Sequence, residues 1–120
     1  MPDTLLTTRD ALLGVLVGAI LADGKVVRAE VREAELQALG VPHLDILPRD
    51  VRERLPEVKA ALARQGEHAF LEACVASLTI ELKVRAFRAV SEIIAADHEI
   101  LPAEERYLAR LATAFDIVRQ

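Results

Sequence analysis

Cysteine is nearly absent: Cys74 is the only one in 120 residues. No intramolecular disulfide can form, so the fold must hold without covalent staples, which fits a reducing compartment and a cytoplasmic location. Cys74 lies in the apolar stretch FLEACVASL and reads as a small buried side chain, not a nucleophile. Aromatic residues supply only 3% of the chain, with no tryptophan, so Ala, Leu and Val must do the packing. That composition favours close-packed helices over strands, which are richer in β-branched and aromatic residues. Basic charge is not in excess either: the net charge is −4, which leaves no basic stripe to neutralise phosphates and argues against nucleic acid as a partner. The three histidines, His43, His68 and His98, show no H-x-x-x-H spacing. There is no nucleophile–His–Asp signature and no glycine-rich phosphate loop, so nothing in the chain points to an enzyme.

Long apolar runs are also missing. The longest, Ala11 to Ala22 (ALLGVLVGAILA), is twelve residues, short of the roughly 20 that a membrane helix needs. Arg9 is flanked by Asp3 and Asp10, which is not the basic leader of a signal peptide. The run reads as a core helix covered on all sides, with no direct membrane insertion.

Apolar residues make up 52% of the chain. This is enough for one core, and residues 1–120 read as a single all-α domain: a compact bundle of about seven helices, two of them short. The first helix starts at Thr7 or Thr8, where Thr7 and Asp10 resemble a capping box, and ends at Asp23-Gly24. Gly14, Gly18 and Ala22 recur every four residues and form a groove on it; Ala86 and Ala89 offer a small-residue surface to meet that groove. A second helix is expected from Arg28 to Leu39, with Val31, Ala34, Leu36, Ala38 and Leu39 at helical spacing. Pro48 and Pro56 each look like the first-turn proline of a short helix, LPRDVRERL and LPEVKAALARQ. The spacing then predicts helices over 67–78, over 81–96 with Val84, Phe87, Val90, Ile93 and Ile94 apolar, and from Pro102 with Leu108, Leu111, Ala112 and Phe115 inward. The charges Arg49, Asp50, Arg52, Glu53, Arg54 and Glu57 alternate in sign and read as a solvated helical face.

The chain is organised around a repeated stretch. VGAILADGKVVRAEVREAEL (17–36) and SEIIAADHEILPAEERYLARL (91–111) share an order of residue types. Asp23 matches Asp97, Glu30 matches Glu104, and 97 less 23 and 104 less 30 both give 74. The repeat predicts two pseudo-symmetric helix–acidic turn–helix hairpins.

The acidic turns support two accounts. In the plainer one, Glu30 and Glu104 fall in the first turn of a helix, favoured by its dipole, and reach back to a free backbone N–H. Val27 and Leu101 occupy the place of the usual Ser or Thr cap, so the glutamates carry more of the capping. In the sharper account the two turns pack together, and Asp23, Glu30, Asp97 and Glu104 converge on a hard cation, which prefers several carboxylate oxygens. The loops lack the alternating ligands of an EF-hand, and the Glu comes too early for one.

AILADGKVVRAE and IIAADHEILPAEERYLARLA resemble the TerB-like domains of tellurite-resistance proteins, whose pattern is A-x-A-D-G-x-[V/I]-[S/T]-x-x-E followed by an amphipathic helix. The resemblance runs from about Leu12 to Ile117. It implies a compact all-helical, non-enzymatic domain linked to tellurite or other chemical stress, with other proteins as partners. It also implies a divalent metal cation held by Asp23 and Glu30 from one copy and Asp97 and Glu104 from the other. This chain departs from the pattern at His98, in place of the second Gly, and at Val27 and Leu101, in place of the hydroxyl residue.

Overall fold

Thr7 sets the start of the first helix, α1 (Thr8–Leu21): its backbone is extended, and its Oγ1 accepts from the Asp10 N–H at 3.0 Å. Only half of the expected capping box forms, because the Asp10 carboxylate turns away to accept from Arg54 Nη2 at 2.9 Å. The computed structural model describes residues 7–41, 44–96 and 100–115. After α1 come α2 (Arg28–Leu39), α3 (Pro48–Gln65), α4 (Glu67–Val75), α5 (Ile80–Ile94) and α6 (Pro102–Ala114), with no strand among the described residues. The described residues are all-helical in their regular structure, as the composition implied, with six helices rather than about seven.

The missing boundary lies at Pro56. The short helices expected from Pro48 and Pro56 are one helix, α3, with Pro48 in its first turn and Pro56 inside it. A proline in a helix interior costs about 3 kcal/mol, because it removes one hydrogen bond and crowds the preceding turn. Two features offset that cost. Pro56 and Arg52 are both exposed, so the carbonyl left without a helical partner faces water. The apolar stripe Val51, Leu55, Val58, Leu62 keeps a helical period through the proline and packs toward the core, with Val51 and Val58 buried. Breaking the helix at Pro56 would pull that stripe apart.

Helix α1 is the hub. Every residue from Ala11 to Ile20 is buried, and α1 touches each of the other five helices. Its glycine row is used differently from expectation. A Cβ on Gly14 would lie 3.0 Å from both Cys74 Sγ and Phe70 Cζ of α4, and a Cβ on Gly18 would lie 3.1 Å from Tyr107 Cζ of α6. Aromatic rings and a thiol fill the groove, not Ala86 and Ala89, which are buried on α5. Tyr107 is completely buried and donates its hydroxyl to the Val15 carbonyl at 2.6 Å. It was not among the residues expected to point inward. Glu104, Tyr107, Leu111 and Ala112 are the buried residues of α6, with Phe115 buried just past its end, while Leu108 is only half-buried.

The faces of α2 and α5 also differ from the apolar pattern. Leu36, Leu39 and Val84, expected at core spacing, are exposed. The core positions are Glu30, Val31, Ala34 and Ala38 on α2, and Ala86, Ala89, Val90, Ile93 and Ile94 on α5. Small alanines at the contacts bring the helices close and leave the larger side chains outside. The alternating charges of α3 are not simply solvated: Asp50 pairs with Arg9, Arg54 with Asp10, and Arg52 with Glu35 at 2.9 Å, tying α3 to α1 and α2. His68 is exposed; His43 and His98 lie outside the described residues. The radius of gyration is 12.9 Å, close to the roughly 13.6 Å expected of a compact chain this long.

Candidate functional site

The described parts of the two repeat copies open their second helices alike. Residue 74 after Arg28, the first residue of α2, is Pro102, the first residue of α6. Each helix is preceded by an extended apolar residue, Val27 or Leu101. The Glu30 N–H donates to the Val27 carbonyl at 3.1 Å, and the Glu104 N–H to the Leu101 carbonyl at 3.0 Å. Just upstream, the Ala22 N–H reaches the Ala19 carbonyl and the Ala96 N–H the Ile93 carbonyl, again 74 residues apart.

Of the four residues singled out by the repeat, Glu30 and Glu104 are buried, at 0% and 1% exposure. A carboxylate is rarely buried without a defined role, and for Glu104 that role is visible. Its Oε1 accepts from the Leu101 N–H at 3.0 Å, so it supplies the carboxylate half of a capping box whose other half, a hydroxyl, leucine cannot provide. Its position on the stripe with Tyr107 and Leu111 holds the side chain inward. Glu30 shares a stripe with Ala34 and Ala38 and is held inward in the same way. Asp23 is half-buried, and its Oδ1 accepts from the Lys25 N–H at 3.0 Å across a turn in which Gly24 takes a left-handed φ of 82°. That conformation suits glycine and closes the end of α1. Asp97 lies outside the described residues. Among the described residues no three His, Cys, Asp or Glu side chains group as metal ligands.

A second opening like that of Glu104 lies outside the repeat. Leu47-Pro48-Arg49-Asp50 opens α3 as Leu101-Pro102-Ala103-Glu104 opens α6. The Leu47 N–H donates to Asp50 Oδ2 at 2.8 Å, and the Asp50 N–H to the Leu47 carbonyl at 2.9 Å. The Leu47 N–H holds the Asp50 carboxyl below its ordinary value, against its partial burial and with help from the Arg9 guanidinium. Sequence reasoning marked Pro48 as a first-turn proline but read Asp50 only as part of a solvated charged face; the signal for its capping role was the shared Leu-Pro-x-acid spelling. Burial pushes the Cys74 thiol up to about 12, so it is a poor nucleophile at neutral pH. Burial also raises the Tyr107 hydroxyl well above the ordinary tyrosine value, which keeps it a neutral donor to Val15.

Two open grooves flank α2. One, against α5, is about 670 Å³ and is lined by Gln37, Leu44, Leu82, Val84, Arg85 and Arg88 with Glu81. The Arg85 guanidinium there donates to the Gly40 carbonyl at the end of α2. The other, against α3, is about 700 Å³ and is lined by Val26, Val31, Leu55, Arg28, Arg32 and Arg52 with Glu35. Neither lining pairs a nucleophile with a base. Among the described residues no helix is long and apolar enough to cross a membrane. No family model, no curated protein and no solved structure matches this chain.

Proposed function

We propose that the protein is a non-enzymatic cytoplasmic interaction module in which the acidic turns serve as helix caps. The observation that carries this reading is the bond from the Leu101 N–H to Glu104 Oε1, made again by Leu47 and Asp50 in a helix outside the repeat. A side chain that performs the same task in both places needs no ligand to account for it. The resemblance of residues 17–36 and 91–111 to TerB-like domains supports a bundle built from two pseudo-symmetric hairpins, acting through protein partners in tellurite or other chemical stress. The matched helix openings 74 residues apart are consistent with that pairing. The alternative that the resemblance implies is a divalent cation held by Asp23, Glu30, Asp97 and Glu104.

One titration separates the two. A ligand that binds only the folded state raises stability by RT ln(1 + [L]/Kd), about 2.7 kcal/mol at a hundredfold excess over Kd. Thermal unfolding is followed with calcium, magnesium, manganese or zinc at about millimolar concentration, then with a chelator. The capping reading expects no shift in Tm with any of the four. A chelator-reversible rise that is lost in Asp23→Asn and Glu104→Gln would overturn it and establish the cation reading.

A further inference from the structure

We infer that the outward face of α2, with the groove between α2 and α3, is a docking surface for an acidic, leucine-bearing helix of a partner protein. This rests on the reading of the protein as an interaction module and gives that module a location and a partner chemistry. On α2 the core-facing residues are Glu30, Val31, Ala34 and Ala38. At 100° per residue the opposite side carries Arg28, Arg32, Leu36 and Leu39 as one stripe. Leu36 and Leu39 are 59% and 52% exposed, and Val26, where the chain enters the helix, is 55% exposed. These are three of the seven large apolar side chains left exposed among the described residues. An apolar floor of Val26, Val31 and Leu55 lies in the adjoining groove.

Charge selects the occupant. Arg28, Arg32 and Arg52 line that groove against one acid, Glu35, which is already bound to Arg52 at 2.9 Å. Neither Arg28 nor Arg32 has a carboxylate partner among the described residues. The surface is therefore locally cationic on a chain whose net charge is −4. An apolar stripe flanked by unpaired arginines complements a helix with leucines on one side and carboxylates beside them. The concave groove suits the ridge of such a helix better than a flat bilayer, and the acidic remainder of the chain would repel an anionic one. The twelve residues of α2 span about 18 Å, which fits roughly three turns of the partner.

The test uses the whole chain and a fluorescein-labelled amphipathic peptide of about 16 residues, with leucines at helical spacing flanked by Glu, and its Lys-flanked counterpart. Fluorescence anisotropy is expected to show saturable binding of the acidic peptide with a Kd on the order of tens of micromolar, weakened by salt, and none of the Lys peptide. The double variant Arg28→Glu/Arg32→Glu should raise Kd at least about tenfold, as should Leu36→Asp. All three substitutions are at exposed sites, and helical circular dichroism and Tm would confirm that folding is retained. Arg88→Glu, in the other groove, should leave Kd unchanged. The inference is overturned if the folded wild type ignores the acidic peptide, or if binding survives the charge reversal. It is also overturned if phosphatidylserine vesicles bind in place of the peptide, or if the chain self-associates through Leu36. Loss of peptide binding with a silent metal titration removes only this surface, whereas a chelator-reversible shift in Tm removes the capping reading whatever the peptide does.

Discussion

Helices α3 and α6 open alike and are anchored differently. Each begins Leu-Pro-x-acid, and in each the acid three residues after the leucine accepts from the leucine N–H. Beyond that turn they part. Asp50, itself largely buried, also takes the Arg9 guanidinium, and Arg54 one turn later takes Asp10, so α3 is tied to α1 through charges at a partly exposed edge. Glu104 faces inward, and Tyr107 one turn later lies over Gly18 and donates to Val15, so α6 is tied to α1 through a buried ring and a neutral hydrogen bond. The lesson is that the opening turn specifies where a helix starts, and residues after it specify what the helix packs on. Resemblance between acidic turns is therefore weak evidence of a shared ligand.

The largest expected effect comes from breaking the anchor of α6. Gly18→Leu would drive side-chain atoms into Tyr107, whose ring is completely buried and has no room to retreat. Overpacking of this kind costs about 1–3 kcal/mol and occasionally more, and the Val15 carbonyl would lose its tyrosine donor as the ring is displaced. The urea midpoint should fall clearly. An unchanged midpoint would show that Tyr107 does not occupy the glycine groove. Tyr107→Phe on the wild-type background, which keeps the ring and removes the hydroxyl, should cost about 1 kcal/mol, isolating the hydrogen bond from the packing.

Removing the two opening acids comes next. Glu104→Ala and Asp50→Ala each delete the acceptor for a helix-opening N–H, worth about 1 kcal/mol. Glu104→Ala should be the more damaging, because it also leaves space at a buried position. If both acids act as caps, each loss should be measurable and the two should add in the double variant, since α3 and α6 share no substantial contact. Glu104→Ala that stabilised the protein would contradict the capping reading, since relief of crowded negative charge is what a cation site without its ion would show.

The comparison also shows what could be read before the structure. The helix starts at Thr8, Arg28 and Pro102 were legible because a cap, a glycine turn or a first-turn proline marks each locally. The apolar α1 was legible because its run leaves no polar face. Three features were not. Pro56 is a local stop signal overridden by a non-local one, the Val51–Leu62 stripe that needs an unbroken helix to reach α1 and α2. Tyr107 has a polar tip that conceals it in an apolar count, although its spacing from Glu104 and Leu111 was present in the chain. The same spacing accounts for the buried Glu104. Which neighbour would fill the Gly14–Gly18 groove depended on the packing of α4 and α6, and no local pattern encodes that.

The smallest expected effect is the one that best separates the two anchors, because it depends on pH. Asp50→Asn keeps an acceptor for the Leu47 N–H but removes the charge that faces Arg9. In the folded protein the Asp50 carboxyl is held below its ordinary value of 3.8, by the Leu47 N–H first and by Arg9, with partial burial opposing both. A carboxyl depressed by folding contributes stability that is present above its unfolded value and is lost as pH falls through the lower, folded value. At neutral pH, Asp50→Asn should therefore be less stable than wild type by an amount on the order of 1 kcal/mol or less, since the pair lies at a partly exposed edge. The gap should narrow as pH falls below about 4 and close once Asp50 is protonated in both states. Urea midpoints for the two proteins at a series of pH values from about 7 down to 2 would trace it. A gap that stayed constant with pH would mean the Arg9 pair adds nothing beyond the cap, making α3 and α6 alike in their openings and leaving Arg54–Asp10 as the ionic tie between α3 and α1.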